Sequence, residues 1–309
     1  MNTLVISTSS FGTDNNPPLL HLQKSGMAIV TNPHRRKLTE DEIIELLQGG
    51  AVGLIAGIEP LTRRVFEAAP QLKVISRCGA GLDSVDLAAA KQCGITVLNT
   101  PEAPAQAVAE LTLGYILNLL RQISTIDSAV RGREWPRTQG RLLAAQTVGV
   151  IGLGHIGRRV ARLCQAFEAT VIAHDPFVQQ APDGITLMPL PQLLANADVV
   201  TLHVPYSAEL HHLLDAKAFA AMKPETIIIN AARGGLVDET ALATALTSGT
   251  IAAAALDVFE QEPYHGPLTA CNNTILTSHI GSLARESRQR MEIEAAENLL
   301  QGLRQNGLI

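Results

Sequence analysis

The chain has 309 residues, 46% of them hydrophobic and only 3% aromatic, with a formal net charge of −5. That length accommodates two ordinary domains, each with its own core, and an apolar load carried by Ala, Val, Leu and Ile suits buried parallel strands covered by helices. A mild negative charge without a basic stripe argues against a nucleic-acid partner, and no apolar run could cross a bilayer without polar interruption, which argues against a membrane one.

The opening Met1-Asn2-Thr3-Leu4-Val5-Ile6-Ser7-Thr8 has neither a basic segment nor a long apolar core, so a cytoplasmic location is expected. Strand-like runs then recur at Leu4–Ile6, Met27–Val30, Gly53–Ala56, Lys73–Ser76 and Thr96–Leu98, with helical patterns between them. That alternation predicts a first parallel α/β unit. Thr39-Glu40-Asp41-Glu42 reads as a capping box that opens a helix with Ile43, Ile44, Leu46 and Leu47 on its apolar face, and Gly49-Gly50 ends it. Asn99-Thr100-Pro101-Glu102-Ala103-Pro104 breaks the pattern and predicts a crossover. A long apolar helix over Ala107–Leu120 follows, then a polar arm around Arg131–Arg137.

The most informative stretch comes next. Thr147–Ile151 is an apolar strand running into Gly152-Leu153-Gly154-His155-Ile156-Gly157, a helix opens at once, and a second strand ends at Asp175, about twenty residues on. Gly152 permits the tight turn, Gly154 leaves room for a pyrophosphate, and Gly157 lets the helix lie close to the strand. The helix N-terminus offers N–H groups and a partial positive charge to phosphates. Asp175 is placed to accept from both adenosine ribose hydroxyls and to repel a 2′-phosphate. Pro176 stands where an NADP reader would want Arg, so the expected cofactor is NAD.

Further strands are expected at Asp198–Leu202, Thr226–Asn230, Ile251–Leu256 and Thr274–Thr277, although the third is Ala-rich and helical by propensity alone. Polar residues gather just beyond their C-terminal ends, where open α/β sheets bind ligands. Arg233 follows the strand ending at Asn230, Asp257 and Glu262 follow Leu256, and His279 follows Thr277. Reduction of a 2-oxo acid needs a cation for the carboxylate, a proton donor for the carbonyl oxygen, and an acid that keeps the donor protonated. Those three residue types occupy equivalent positions here. A lone histidine after a strand is more often structural; the matching Arg233 and Glu262 reverse that expectation. A last helix over Leu283–Leu303 can return to the first unit. Cys78, Cys93, Cys164 and Cys271 are scattered without zinc spacing, so reduced thiols and no metal are expected.

The ordered set, from Gly53-Leu54-Ile55 and Val74–Asp86 to Ser278-His279-Ile280-Gly281-Ser282, resembles the NAD-dependent D-isomer-specific 2-hydroxyacid dehydrogenases, in the branch similar to D-3-phosphoglycerate dehydrogenase. The resemblance implies an α/β fold of two doubly wound parallel-sheet domains. One is a flavodoxin-like substrate domain of residues 1–99 and 283–309; the other is a Rossmann dinucleotide-binding domain of residues 100–282. It implies a homodimer through the helix and arm at about 105–145. Arg233 would grip the substrate, His279 would be the acid/base and Glu262 its partner. Arg77 and the backbone N–H groups of Ala80 and Gly81 would also face substrate. Asp257 would meet the nicotinamide carboxamide. Val108, Ile156, Pro205 and Ala231 would line the cofactor, His203 would shape the adenosine pocket, and His155 would offer only its backbone.

Departures bear on the substrate. Gly57 stands where phosphoglycerate-using relatives often carry Arg, so a small unphosphorylated 2-oxo or 2-hydroxy acid is expected, with phosphoglycerate as the alternative and Arg77 and a partner's Arg137 as remaining cations. Glu262, where the formate dehydrogenase branch has Gln, argues against that activity. A NAD-sensing protein similar to transcriptional corepressors is the rival of another class.

Overall fold

The computed structural model describes residues 2–9, 11 and 17–309; Met1, which begins the N-terminal segment read above, lies outside them. The chain divides into two compact units, Met1–Pro104 with Leu283–Ile309, and Ala105–Ser282.

In the first unit, β1 (Thr3–Ile6), α1 (Pro17–Gln23), β2 (Ala28–Thr31), α2 (Glu40–Leu47), β3 (Ala51–Ala56), α3 (Arg63–Ala68), β4 (Val74–Arg77), α4 (Leu87–Gln92) and β5 (Thr96–Asn99) alternate along the chain. The five strands are parallel in the order β2-β1-β3-β4-β5, the flavodoxin-like order. The capping box at α2 is formed as read: Thr39 Oγ1 accepts from Glu42 N and Glu42 Oε2 accepts from Thr39 N.

The first unit takes in the crossover and runs five residues past residue 99, the bound that the resemblance implies. Thr100 is buried and exchanges two bonds with Gly79, its hydroxyl accepting from Gly79 N and its N–H donating to Gly79 O. Ala103 O accepts from Ser287 Oγ at 2.9 Å. These bonds keep residues 100–104 with the first sheet.

The second unit contains α5 (Ala105–Arg121), α6 (Ile123–Arg131), β6 (Thr147–Ile151), α7 (His155–Ala166), β7 (Thr170–His174), β8 (Ile185–Leu187), α8 (Leu190–Asn196), β9 (Val199–Leu202), α9 (Ala216–Ala220), β10 (Ile227–Asn230), α10 (Glu239–Ser248), β11 (Ala253–Leu256) and β12 (Thr274–Leu276). Its seven strands are parallel in the order β12-β11-β10-β9-β6-β7-β8, with the direction of winding reversing between β6 and β9. β8 was not anticipated, because three residues carry too little periodicity. β11 is a strand despite its alanines: Ala254, Ala255 and Leu256 are wholly buried between β10 and β12, and that placement overrides helix propensity.

α11 (Arg285–Gln305) closes the first unit, packing against β3, β4 and β5. Leu299 and Leu303 are fully buried there, each contributing about 1.5–3 kcal/mol of apolar transfer. A Cβ at Gly302 would lie 2.6 Å from Val74 Cγ1, so the helix approaches the sheet as closely as a bare backbone permits.

Candidate active site

The turn after β6 is built around its glycines. Gly152 has φ +93°, and a Cβ there would fall 2.6 Å from His203 O. A Cβ at Gly157 would fall 1.9 Å from Gly152 O, so the first turn of α7 is drawn against the loop. Gly154, between them, faces open space and carries no side-chain cap for α7. The twelve-residue helix therefore presents an uncapped N-terminus beside a gap.

Asp175 stands one residue past β7 and is tied to this loop. Its Oδ2 accepts from Leu153 N at 2.8 Å and its Oδ1 from Phe177 N at 2.9 Å. Each oxygen retains one lone pair, which matches the two hydroxyls of a ribose. His155 is exposed at the start of α7, Ile156 is half-buried, and Pro205 lies on the exposed turn after β9. His203 N donates to Ile151 O at 2.7 Å, and its ring lies inward with Nε2 2.9 Å from Thr201 Oγ1. Its Nδ1 is buried with no partner among the described residues. Burial pushes this imidazole down to about 3, so it is neutral.

The side chains named for chemistry stand just past the ends of the next three strands. Asn230, the last residue of β10, is wholly buried; its side chain donates to Arg233 O and accepts from Ala232 N, an Asx turn that aims the backbone of Arg233. Arg233 Nη1 donates to Ala232 O at 2.6 Å. Ala231 is buried beside it.

Asp257 follows β11 and is 1% exposed. Its Oδ1 accepts from Thr277 Oγ1 at 2.5 Å and Ile280 N at 2.8 Å, and its Oδ2 from Gly281 N at 2.7 Å. His279 N donates to Asp257 O at 2.9 Å. The carboxylate thus organises the whole turn bearing His279, and one lone pair of Oδ2 is the acceptor capacity left for a ligand. Tyr115 OH lies 2.5 Å from Thr277 Oγ1, and burial pushes that hydroxyl up to about 12. Val108 is buried on α5, close to where a Cβ of Gly281 would stand.

His279 has φ +57°, a left-handed conformation that a non-glycine residue adopts only where its surroundings impose it. Its Nδ1 lies 3.0 Å from Glu262 Oε2 and 3.2 Å from Oε1. Glu262 Oε1 also accepts from Phe259 N. With Nδ1 committed to the carboxylate, Nε2 is the ring atom available for a substrate proton.

In the first unit, Ala80 and Gly81 follow β4 in a loop secured by Asn99, whose side chain donates to Ala80 O at 2.7 Å. No bond of the Ala80 or Gly81 N–H groups occurs among the described residues. Arg77 turns back on the same loop, its Nη1 donating to Cys78 O at 2.8 Å, and a Cβ at Gly79 would coincide with that guanidinium. The substitution of Arg for Gly57 has no ready space: a Cβ there would lie 2.9 Å from Glu59 Oε2 and 3.1 Å from Thr8 Cα.

Sequence reasoning missed Asn230, Thr277 and Tyr115 as supports. Only Asn230 carried a local signal, an Asx-turn residue at a strand end; Tyr115 meets Asp257 and Thr277 across 142 and 162 positions.

Residues 113–281 match the family model described as D-isomer specific 2-hydroxyacid dehydrogenase, NAD binding domain. A D-3-phosphoglycerate dehydrogenase of Mycobacterium tuberculosis is 40% identical over 265 residues, 84% of this chain and 50% of that protein, so the chain spans about half the length of such curated relatives. A hydroxypyruvate reductase of Thermotoga maritima is 36% identical over 89% of this chain and 90% of its own length. The crystal structure of the TT0316 protein from Thermus thermophilus superposes with a TM-score of 0.89 at 36% identity, covering 99% of this chain and 97% of that one. The chain belongs to the D-isomer specific 2-hydroxyacid dehydrogenase family, and its second unit carries that family's NAD binding domain.

Proposed function

We propose that this protein reduces small, unphosphorylated 2-oxo acids such as hydroxypyruvate or glyoxylate to D-2-hydroxy acids with NADH. The observation that carries the reading is the His279–Glu262 pair, with Nδ1 engaged and Nε2 left for the substrate, on the strand ends that also present Arg233. The residues around Gly154 and Asp175 fit a dinucleotide: an open position over an uncapped helix, and a carboxylate with one lone pair per oxygen. Bound there, NADH would supply the hydride and leave as NAD.

This chain's own residues do the rest. Arg233 holds the substrate carboxylate. His279 gives a proton from Nε2 to the carbonyl oxygen in reduction and takes it back in oxidation. The Glu262 carboxylate fixes the tautomer and stabilises the imidazolium. Because that charge is lost in Glu262→Gln, a pH–rate profile of this variant is expected to show the alkaline limit of reduction at lower pH.

Two observations favour an unphosphorylated acid. Gly57 brings no arginine side chain for a phosphate and its surroundings leave no ready space for one, and the hydroxypyruvate reductase is matched over nearly its whole length. The 40% identity to D-3-phosphoglycerate dehydrogenases supports phosphoglycerate as the second reading. NADH oxidation with glyoxylate, hydroxypyruvate, pyruvate and 3-phosphohydroxypyruvate decides: kcat/KM for hydroxypyruvate or glyoxylate at or above that for the phosphorylated acid is expected, and the reverse by orders of magnitude would select the second reading. Turnover of none would favour a NAD-sensing role.

The helix and arm region supports a homodimer: α6 buries none of its side chains, and Ile123, Val130, Trp135 and Leu142 are exposed. All four cysteines are free thiols, which supports a reducing compartment such as the cytoplasm. Among the described residues no helix is long and apolar enough to cross a membrane.

A further inference from the structure

A second histidine–carboxylate pair lies on the loop that carries Glu262, and proton transfer at His279 does not use it. His212 Nε2 is 2.5 Å from Glu260 Oε1, two residues before Glu262. The backbone of His212 is tied elsewhere. Its N–H donates to Gly235 O at 2.8 Å, two residues past Arg233, and Leu214 N continues the pairing to Leu236 O at 3.0 Å. His212 therefore joins the segment bearing Arg233 to the loop bearing Glu262.

The two segments also touch directly. A Cβ at Gly234 would lie 1.9 Å from Phe259 C and 2.3 Å from Glu260 N, so only a bare backbone fits between them. Glu260 N donates to Glu239 Oε1 at 2.8 Å, and Phe259 stacks on Tyr264 at 4.1 Å. The His212 ring is held as well: His211 stacks on it at 3.8 Å and 25°, and His211 Nδ1 lies 3.3 Å from Tyr206 OH. Asp238 Oδ2 is 3.8 Å from its Nδ1. The charged and titratable groups around His212 are thus Glu260, Asp238, Glu239 and His211, with Tyr206 beyond. His212 has φ +55°, the same left-handed conformation as His279, which a non-glycine residue adopts only where its surroundings impose it.

We infer that His212 is a positioning residue: through Glu260 it fixes the 257–263 loop so that Glu262 faces His279 Nδ1, and through Gly235 it keeps that loop in register with Arg233. This rests on reading His279 and Glu262 as the proton-transfer pair. The His212–Glu260 pair is only partly shielded, with side-chain exposures of 33% and 40%, so it adds little to global stability. Its loss acts on placement, where an error near 1 Å costs as much as about 10²-fold in rate.

The test uses the full chain as wild type, His212→Ala, His212→Gln and Glu260→Ala. The primary readout is the titration of the His279 ring followed by NMR, which needs no turnover. In His212→Ala and Glu260→Ala its midpoint is expected to move down by about 0.5 pH unit or more, because the Glu262 charge is no longer held against it. In assays of a 2-oxo acid with NADH, kcat falls roughly 10-fold and KM for NADH stays near wild type. His212→Gln, whose amide can still donate to Glu260, recovers most of both effects. An unmoved His279 midpoint in His212→Ala, or a Gln variant as impaired as the Ala variant with KM for NADH raised in step, overturns the inference. A wild type that reduces no 2-oxo acid while its His279 midpoint still responds to His212→Ala overturns the catalytic reading alone.

Discussion

The two units obey the same topological rule and use it in opposite ways. Each is a parallel sheet whose winding reverses once, between β1 and β3 in the first and between β6 and β9 in the second. Open sheets bind ligands at that reversal. In the first unit the crevice is filled by the chain itself: Glu59 is 1% exposed, both its oxygens accept from Gly57 N at 3.0 and 3.1 Å, and Ser7 Oγ donates to Oε1. In the second, Gly154 leaves it open above an uncapped helix. Topology supplies the crevice; the residue that occupies or vacates it decides whether there is room for a ligand.

Variants can break that contrast from either side. The largest effect is expected from His279→Ala, which lowers kcat by roughly 10²–10⁴-fold while NADH affinity, measured by fluorescence titration, stays within a factor of about three. A parallel loss of NADH binding would move His279 from proton transfer to cofactor binding. Prising apart the glycine loop that frames the open side, Gly157→Ala forces a methyl to within 1.9 Å of Gly152 O. Overpacking of about 1–3 kcal/mol is expected, appearing as a lower Tm and a 10-fold or greater rise in the Kd for NADH. Emptying the closed side with Glu59→Ala strips the partner from the Gly57 N–H and lowers stability by about 1–3 kcal/mol in urea titration, with Kd for NADH unchanged. If the two variants affect NADH binding equally, the contrast fails.

The open crevice also carries a pH liability. His203 is held neutral by burial, with its native value near 3 against an ordinary 6.5. Between those values the unfolded chain binds the extra proton, so the stabilisation is complete above about pH 6.5 and is lost as pH falls toward 3. From pH 7 to pH 5 this one group is expected to remove about 2 kcal/mol, and His203→Asn should flatten that dependence in thermal melts at the two pH values. The smallest effect concerns cofactor choice. Asp175→Ala should narrow the preference for NADH over NADPH by about 10-fold, through loss of a charge that repels the 2′-phosphate; equal Kd values for the two cofactors in the wild type would remove Asp175 from that role.

Much of this was legible because the relevant physics is local. A capping box spans four residues, a glycine turn six, and an acid at the end of the following strand stands at a fixed remove, so Thr39–Glu42, Gly152–Gly157 and Asp175 declare themselves in one dimension. The order Arg233, Glu262, His279 could likewise be read as chemistry at successive strand ends. β11 shows the limit: its alanines favour helix, and only burial between two neighbours makes it a strand.

What remained hidden depends on groups brought together by packing. Nothing near Gly57 in the sequence says that Ser7 and Glu59 close the crevice beside it, or that Arg77 folds onto its own loop. The pairing of His212 with Glu260 joins residues 48 positions apart, and Tyr115 reaches Thr277 across 162. The sequence by itself determined the kind of site, because turns, caps and residue types act over a few positions. Tertiary structure alone decided which crevice stays open and which side chains brace the acid/base pair, because side-chain direction and close packing are set by elements distant along the chain.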